Sequence, residues 1–154
     1  MQISDVLRNK GSHGTDVVTI HPDAAVSVLL AALAEHNVGA LVVLRGDTVA
    51  GQSVAGQSVA GIVSERDIVR ALNERGAAVL TSAVAEIMTT SVISCTSGDY
   101  LDQVAEIMTQ RRVRHMPVID DGQLAGIVTI GDVVLNRTRQ LEQDREQLEH
   151  YITG

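Results

Sequence analysis

The residues best suited to chemistry occur in two copies of one short pattern. Residues 61–67 read Gly-Ile-Val-Ser-Glu-Arg-Asp, and residues 126–132 read Gly-Ile-Val-Thr-Ile-Gly-Asp, 65 positions later. In each copy a β-branched pair after glycine predicts a strand. A hydroxyl residue followed three positions later by aspartate predicts the capping box that begins a helix.

This strand-to-helix turn has two interpretations. Helix capping alone would account for Ser64 with Asp67 and for Thr129 with Asp132. Alternatively, free N–H groups at the start of a helix can hold an anion, and a nearby carboxylate can accept hydrogen bonds from two adjacent sugar hydroxyls. Two such turns in one chain make a nucleotide the natural ligand.

Composition restricts how a ligand could be held. The 154 residues are 45% hydrophobic but include no Trp, no Phe and only two Tyr, so a base would lie against aliphatic side chains and backbone. The net charge of −7 argues against nucleic acid as a partner. One cysteine, Cys95, excludes an internal disulfide and favours a reducing compartment.

Catalytic and membrane patterns are missing from the sequence. It has no Ser-His-Asp set, paired catalytic carboxylates, Cys-x-x-Cys or Walker loop, and its five histidines lack a metal-ligand spacing. We therefore expect neither an enzyme nor a metal site. The first residues are polar and the most apolar stretch, 24–34, is too short to span a bilayer. These features predict a cytoplasmic protein with no membrane partner.

The periodicity predicts an α/β (α+β) fold in which each repeat runs helix, strand, helix, strand, strand, helix. Turn residues at 45–47 and 120–122 predict hairpins. The predicted helices are 3–7, a helix with an apolar stripe from Val26 to Leu33, 84–88 and a stripe from Leu101 to Met108, and the predicted strands are 16–20, 38–44, 91–94 and 113–119.

Two segments fall outside the repeated pattern. A tandem Val-Ala-Gly-Gln-Ser duplication at about 49–58 is predicted to lengthen a surface loop without a functional role. From about Leu135 the chain predicts a charged helix, with Leu141 and Leu148 one heptad apart. Arg145 weakens a coiled-coil seam, so this helix is expected to pack on the body or on a second subunit.

Together with Arg-His-Met-Pro-Val-Ile-Asp at 114–120, these motifs and the repeat resemble a tandem CBS-domain protein of the small stand-alone bacterial type, the module named after cystathionine β-synthase. The resemblance covers residues 1 to about 136. It implies repeats at 1–76 and 77–136, related by a pseudo-twofold axis, with a C-terminal helix at 137–154. Two clefts in one disc would bind adenosine ligands.

The resemblance also implies roles for individual residues. Asp67 and Asp132 would hold ribose; the phosphate contacts would be Ser64, Thr129, Arg114, His115 and Arg112. The base contacts would be Val18, Thr19, Val38, Gly39 and Ala40 in one cleft and Ile93, Ser94, Val113 and Met116 in the other. Alternatively, Arg112 and Arg114 could lie on a solvated strand edge, and His115 could be an interior histidine.

The first repeat has Gly39 and Ala40 where the second has Arg114 and His115, so the two clefts are expected to differ in affinity. Few basic groups converge in the pattern, which favours AMP or ADP over ATP. A diol-binding aspartate disfavours deoxyribose and NADP, whereas NAD and S-adenosylmethionine stay open.

The function implied is a regulatory, signal-transducing module that senses an adenosine nucleotide, requires no cofactor, forms a homodimer and acts on an unknown protein effector. The alternative is a ligand-free dimerisation or interaction module whose motifs only cap helices.

Overall fold

Two small sheets carry the repeated motifs in the computed structural model, which describes residues 1–11, 17–45 and 58–154. In the first sheet β1 runs parallel to β2, and β2 is antiparallel to β3; the second sheet is the antiparallel pair β4 and β5. The strands are β1 Thr19–Ile20, β2 Ala40–Leu44, β3 Val59–Ser64, β4 His115–Asp120 and β5 Gln123–Thr129.

Helices pack on both sheets, which confirms the predicted α/β class. The α-helices are α1 Ile3–Asn9, α2 Val26–His36, α3 Glu65–Arg75, α4 Leu101–Arg111 and α5 Ile130–Thr153, and two 3₁₀ helices span Gly76–Thr81 and Val84–Glu86. No helix in these described ranges is long and apolar enough to cross a membrane.

Each core is completed by a segment from the other repeat. Ile3 and Val6 of α1 are fully buried in the core of the second sheet, whereas Val79 and Val84 are fully buried in the core of the first. Matching backbone hydrogen bonds fix both segments: Ile3 N to Asp99 O (2.8 Å), Leu101 N to Met1 O (3.0 Å), Val84 N to Ala24 O (2.8 Å) and Val26 N to Ser82 O (2.9 Å). The cores therefore do not follow the division of the sequence between residues 76 and 77. We call the two segments that cross between the repeats, residues 1–10 and 76–91, the exchanged segments.

The strand predicted at 91–94 is wrong. In this segment only the adjoining Cys95 pairs, as a single parallel bridge to Val118. Its N–H donates to Pro117 O (3.0 Å) and its carbonyl accepts from Ile119 N (2.8 Å). The next bond towards Ile93 would need an N–H from Pro117, which proline lacks. Likewise, the helix predicted at 84–88 is a short 3₁₀ turn.

The hairpin predicted at 120–122 is confirmed. Asp121 (φ 51°) and Gly122 (φ 77°) are both left-handed, as the tight turn between twisted antiparallel strands requires. The turn predicted at 45–47 and the duplication at 49–58 lie outside the described residues, apart from Arg45 and Ser58.

The helix that begins at the second capping box continues without interruption into the charged segment predicted from about residue 135, so that α5 spans 24 residues after its cap at Thr129. No proline or glycine interrupts residues 132–153, so nothing ends the helix that the motif begins. Leu141 and Leu148 are 61% and 63% exposed, so they do not pack on the body.

Gly61 is required by a close backbone approach. A Cβ at this position would lie 2.6 Å from the Thr89 carbonyl oxygen, where a bridge with Ile62 holds the exchanged segment against β3. We expect Gly61→Ala to lower the free energy of unfolding by about 1–3 kcal/mol through overpacking, measured as a shift of the urea midpoint.

Gly131→Ala is the control for this substitution, because the nearest atom to its Cβ would be Thr129 Oγ1 at 3.6 Å and the site is helical. Equal midpoint losses in the two variants would contradict the steric explanation.

Candidate functional site

Both motif turns are built as helix caps. Asp67 Oδ2 accepts from Ser64 N (2.8 Å) and Ser64 Oγ (3.1 Å), and Asp132 Oδ2 accepts from Thr129 N (2.9 Å). The capping interpretation is thus confirmed for both copies. It does not exclude binding, because the capping contacts use Oδ2 of each carboxylate and leave Oδ1 for other donors.

Each cap is joined to the start of the neighbouring strand. Glu65 N donates to Gly39 O (3.0 Å), and Ile130 N donates to Arg114 O (2.9 Å). These equivalent bonds place residues 38–40 beside the first cap and residues 113–115 beside the second. The predicted motif and strand residues are therefore brought together locally by backbone hydrogen bonds.

A cleft of about 980 Å³ lies between the two repeats. It brings together residues that the sequence analysis placed in separate clefts. The predicted residues that line it are Ser64, Asp67, Val38, Gly39 and Ala40 from the first repeat and Ile93, Arg112, Val113, Arg114, His115 and Thr129 from the second.

Five predicted residues do not line this cleft: Val18, Thr19, Ser94, Met116 and Asp132. Met116 is completely buried in the second core, so its side chain is not accessible as a base contact. The resemblance had implied that Met116 contacts the base. Side chains alternate along a strand, and Met116 faces the core.

His115 of the second repeat lies in the cleft beside Gly39 of the first repeat. A Cβ on Gly39 would lie 3.3 Å from His115 Cε1 and 3.8 Å from Glu65 Oε2, so the glycine makes room for the imidazole. Burial lowers the pKa of His115 most strongly, Glu65 opposes that change, and Arg114 adds to it. The ring is therefore mainly neutral at neutral pH and has both a hydrogen-bond donor and an acceptor.

Arginines converge on the cleft. Arg66, Arg70, Arg111, Arg112 and Arg114 line it, against two acidic residues, Glu65 and Asp67. None of the five forms an ion pair with an acidic residue of the described ranges. The expectation that few basic groups converge is therefore wrong. It considered the basic residues before β4 and left out those of α3, which line the same cleft as the end of α4.

Sequence reasoning gave too little weight to α3 and missed the exchanged segment. Arg66 and Arg70 are four residues apart, a spacing that puts both on one helix face, and this signal was available. Thr89 and Ser91 also line the cleft, and Thr89 Oγ1 donates to Asp67 Oδ1 (3.4 Å). No sequence signal placed them there, because they arrive with the exchanged segment.

The second motif has a different neighbour. Lys10 Nζ lies 2.6 Å from Asp132 Oδ2, and the two side chains are only 21% and 17% exposed. Lys10 Nζ also donates to Ile127 O (2.9 Å). The two motif aspartates thus form the same helix cap but differ in the charges around them.

In the described ranges, no three His, Cys, Asp or Glu side chains are grouped to hold a metal ion.

Comparison with known proteins finds the same family in both repeats. The family model described as "CBS domain" matches residues 4–74 and 84–137. The mitochondrial CBS domain-containing protein CBSX3 of Arabidopsis thaliana is 34% identical over 99% of this chain and 72% of its own.

Solved structures share the fold. The CBS-domain containing protein ATU1752 from Agrobacterium tumefaciens is 42% identical, with a TM-score of 0.77 over 89% of this chain and 99% of its own. The CBS domain pair of protein MJ0100, solved in complex with 5′-methylthioadenosine and S-adenosyl-L-methionine, is 23% identical, with a TM-score of 0.72 over 91% of this chain and 98% of its own.

The paired motifs, the reciprocal cores and these matches lead to one conclusion: the chain belongs to the CBS domain family and contains a tandem CBS-domain pair.

Proposed function

We propose that the chain is a regulatory module that binds an adenosine nucleotide, without catalysis, in the cleft at Asp67. One observation supports the proposal: this cleft combines a carboxylate suited to a sugar diol, two helix starts, aliphatic side chains and five arginines. The adenosine-derived ligands of MJ0100 support it, because that protein has the same fold.

Each part of a nucleotide has suitable partners in the cleft. Asp67 Oδ1 would accept hydrogen bonds from the ribose hydroxyls in place of the 3.4 Å contact with Thr89. The base would lie against Val38, Ile93 and Val113, since no Phe, Tyr or Trp among the described residues lines the cleft. Phosphate would meet Ser64 and Thr129 at the two helix starts.

The arginines favour a ligand with a chain of phosphates. Guanidinium groups bind phosphate oxygens in pairs of hydrogen bonds, and a cleft lined by one sign of charge concentrates the opposite sign. ATP or ADP should therefore bind better than AMP. A cationic sulfonium such as that of S-adenosylmethionine would be repelled.

A nucleotide bound in the cleft could also regulate how the two repeats are oriented. Its lining comes from both repeats, so a bound nucleotide contacts both. It can alter their relative orientation to the extent that it binds one arrangement more tightly than another. The homodimer and the protein effector stay predictions.

A ligand-free interaction module is the second candidate. Helix capping by itself explains both Ser/Thr and Asp pairs. In addition, the end of α5 exposes Leu141, Leu148, Tyr151 and Ile152, apolar side chains suited to a protein partner.

Matched substitutions of the two aspartates test the binding site. We expect Asp67→Asn to weaken ATP binding by about ten- to a hundredfold, since a charge-assisted hydrogen bond is lost. Asp132→Asn should leave the affinity within about twofold of that of the unmodified protein, because the bond it removes lies outside the cleft. Isothermal titration calorimetry measures both, and asparagine retains a capping acceptor. Failure of the unmodified protein to bind any adenosine nucleotide at millimolar concentration would support the interaction module.

A series of ligands tests the charge of the cleft. We expect affinity to increase from adenosine through AMP and ADP to ATP, and to fall as salt is raised. Arg70→Gln and Arg114→Gln should each lower ATP affinity about two- to fivefold and leave adenosine affinity unchanged. Arg139→Gln on α5, outside the cleft lining, is the control. Equal affinities for adenosine and ATP would contradict a phosphate role.

His115 predicts a pH dependence of binding. Because burial lowers its pKa, the imidazole is neutral in the free protein near pH 7, and a phosphate beside it would favour the protonated form. Binding then takes up a proton, so affinity rises as pH falls towards 6, by at most about tenfold per pH unit. Calorimetry of His115→Gln provides the control, since this variant retains only the titration of the ligand. Identical pH profiles for the two proteins would remove His115 from the phosphate site.

A further inference from the structure

The second motif is already occupied by a side chain of the same molecule. The two exchanged segments can be aligned by their matching backbone hydrogen bonds. Ile3 N and Val84 N make equivalent bonds, to Asp99 O and Ala24 O, and these two residues are 81 positions apart. By chain position, Ser91 is then the counterpart of Lys10. Ser91 lines the open cleft of the first motif, whereas Lys10 forms an ion pair with Asp132 of the second.

The contacts of Lys10 hold it firmly in this position. Its Nζ lies 2.6 Å from Asp132 Oδ2 and donates to Ile127 O at 2.9 Å. The preceding residue, Asn9, donates from Nδ2 to Oδ1 of the buried Asn136 (3.0 Å), and Asn136 Nδ2 donates to Asp132 O (2.8 Å). The end of α1 is thereby fixed to the first turns of α5.

We propose that Lys10 is a specificity-determining residue that closes the second motif, so that each chain binds a single nucleotide, at Asp67. The ammonium group neutralises the carboxylate that would otherwise receive a ribose diol. A diol at Asp132 Oδ1 would meet a carboxylate whose charge Lys10 already neutralises through Oδ2. A ligand that displaced this mostly buried ion pair would leave an ammonium group without its partner, which is unfavourable. This inference rests on the proposed function, because it treats both motifs as nucleotide positions of one kind.

The inference is tested by opening the second motif while the first is disabled. Calorimetric titration with ATP is done on Asp67→Asn alone and combined with Lys10→Met, which keeps chain length but removes the charge. Lys10→Gln is the second variant, because its amide can still donate to the Ile127 carbonyl if the methionine variant fails to fold. Arg8→Met is the control: it lies on the same helix, is 74% exposed and pairs with Asp5.

We expect Asp67→Asn and its combination with Arg8→Met to retain only the weakened ATP binding at the first motif, with no dependence on Asp132. The combination with Lys10→Met or Lys10→Gln should bind ATP more tightly than Asp67→Asn alone, at one further site per chain, and adding Asp132→Asn should remove that gain. The inference is overturned if Asp67→Asn binds ATP in a manner that requires Asp132. It is also overturned if neither Lys10 combination binds ATP more tightly than Asp67→Asn alone.

These outcomes separate this inference from the proposed function. Binding by the unmodified protein, with no gain over Asp67→Asn in either Lys10 combination, contradicts the closing role of Lys10 and leaves the cleft at Asp67 intact. Binding by the Lys10 combinations but not by the unmodified protein contradicts the proposed function and retains the role of Lys10.

Discussion

The structure depends on the exchange of one short segment between the repeats. Each sheet needs an exchanged segment to complete its apolar core. Helix α1 fills the core of the second sheet, and the 3₁₀ helices from residue 76 fill the core of the first. Burial of apolar surface is the main favourable contribution to folding. The two repeats are therefore stabilised as one body, and the cleft between them exists only when both are folded.

The exchange also decides how two nearly identical motifs differ. Local sequence builds the same cap at Ser64 and at Thr129. The exchanged segment then supplies neutral hydroxyl residues, Thr89 and Ser91, near the first cap and a lysine beside the second. A carboxylate next to a hydroxyl can exchange that contact for a ligand hydroxyl at little cost, whereas a buried ion pair cannot.

The charged side chains are also distributed unevenly over the molecule. The chain as a whole carries −7, yet the cleft collects five arginines from α3, the end of α4 and the residue before β4. A local positive field in an acidic protein attracts small anions without attracting nucleic acid, since a polyanion would also meet the acidic remainder of the surface. The overall charge is thus a poor guide to the local charge of the cleft.

The sequence by itself determined the features that depend on near neighbours. The two caps, the hairpin at 120–122, the apolar stripes of α2 and α4 and the proximity of each motif to its strand all follow from contacts within one repeat. Tertiary structure decided the rest: the reduction of the strand at 91–94 to one bridge opposite Pro117, the burial of Met116, the convergence of the arginines and the pairing of Lys10 with Asp132. Such contacts join residues far apart in the chain, Lys10 and Asp132 most of all. Residue spacing reports local geometry, but only the packing of the exchanged segments determines which distant side chains meet.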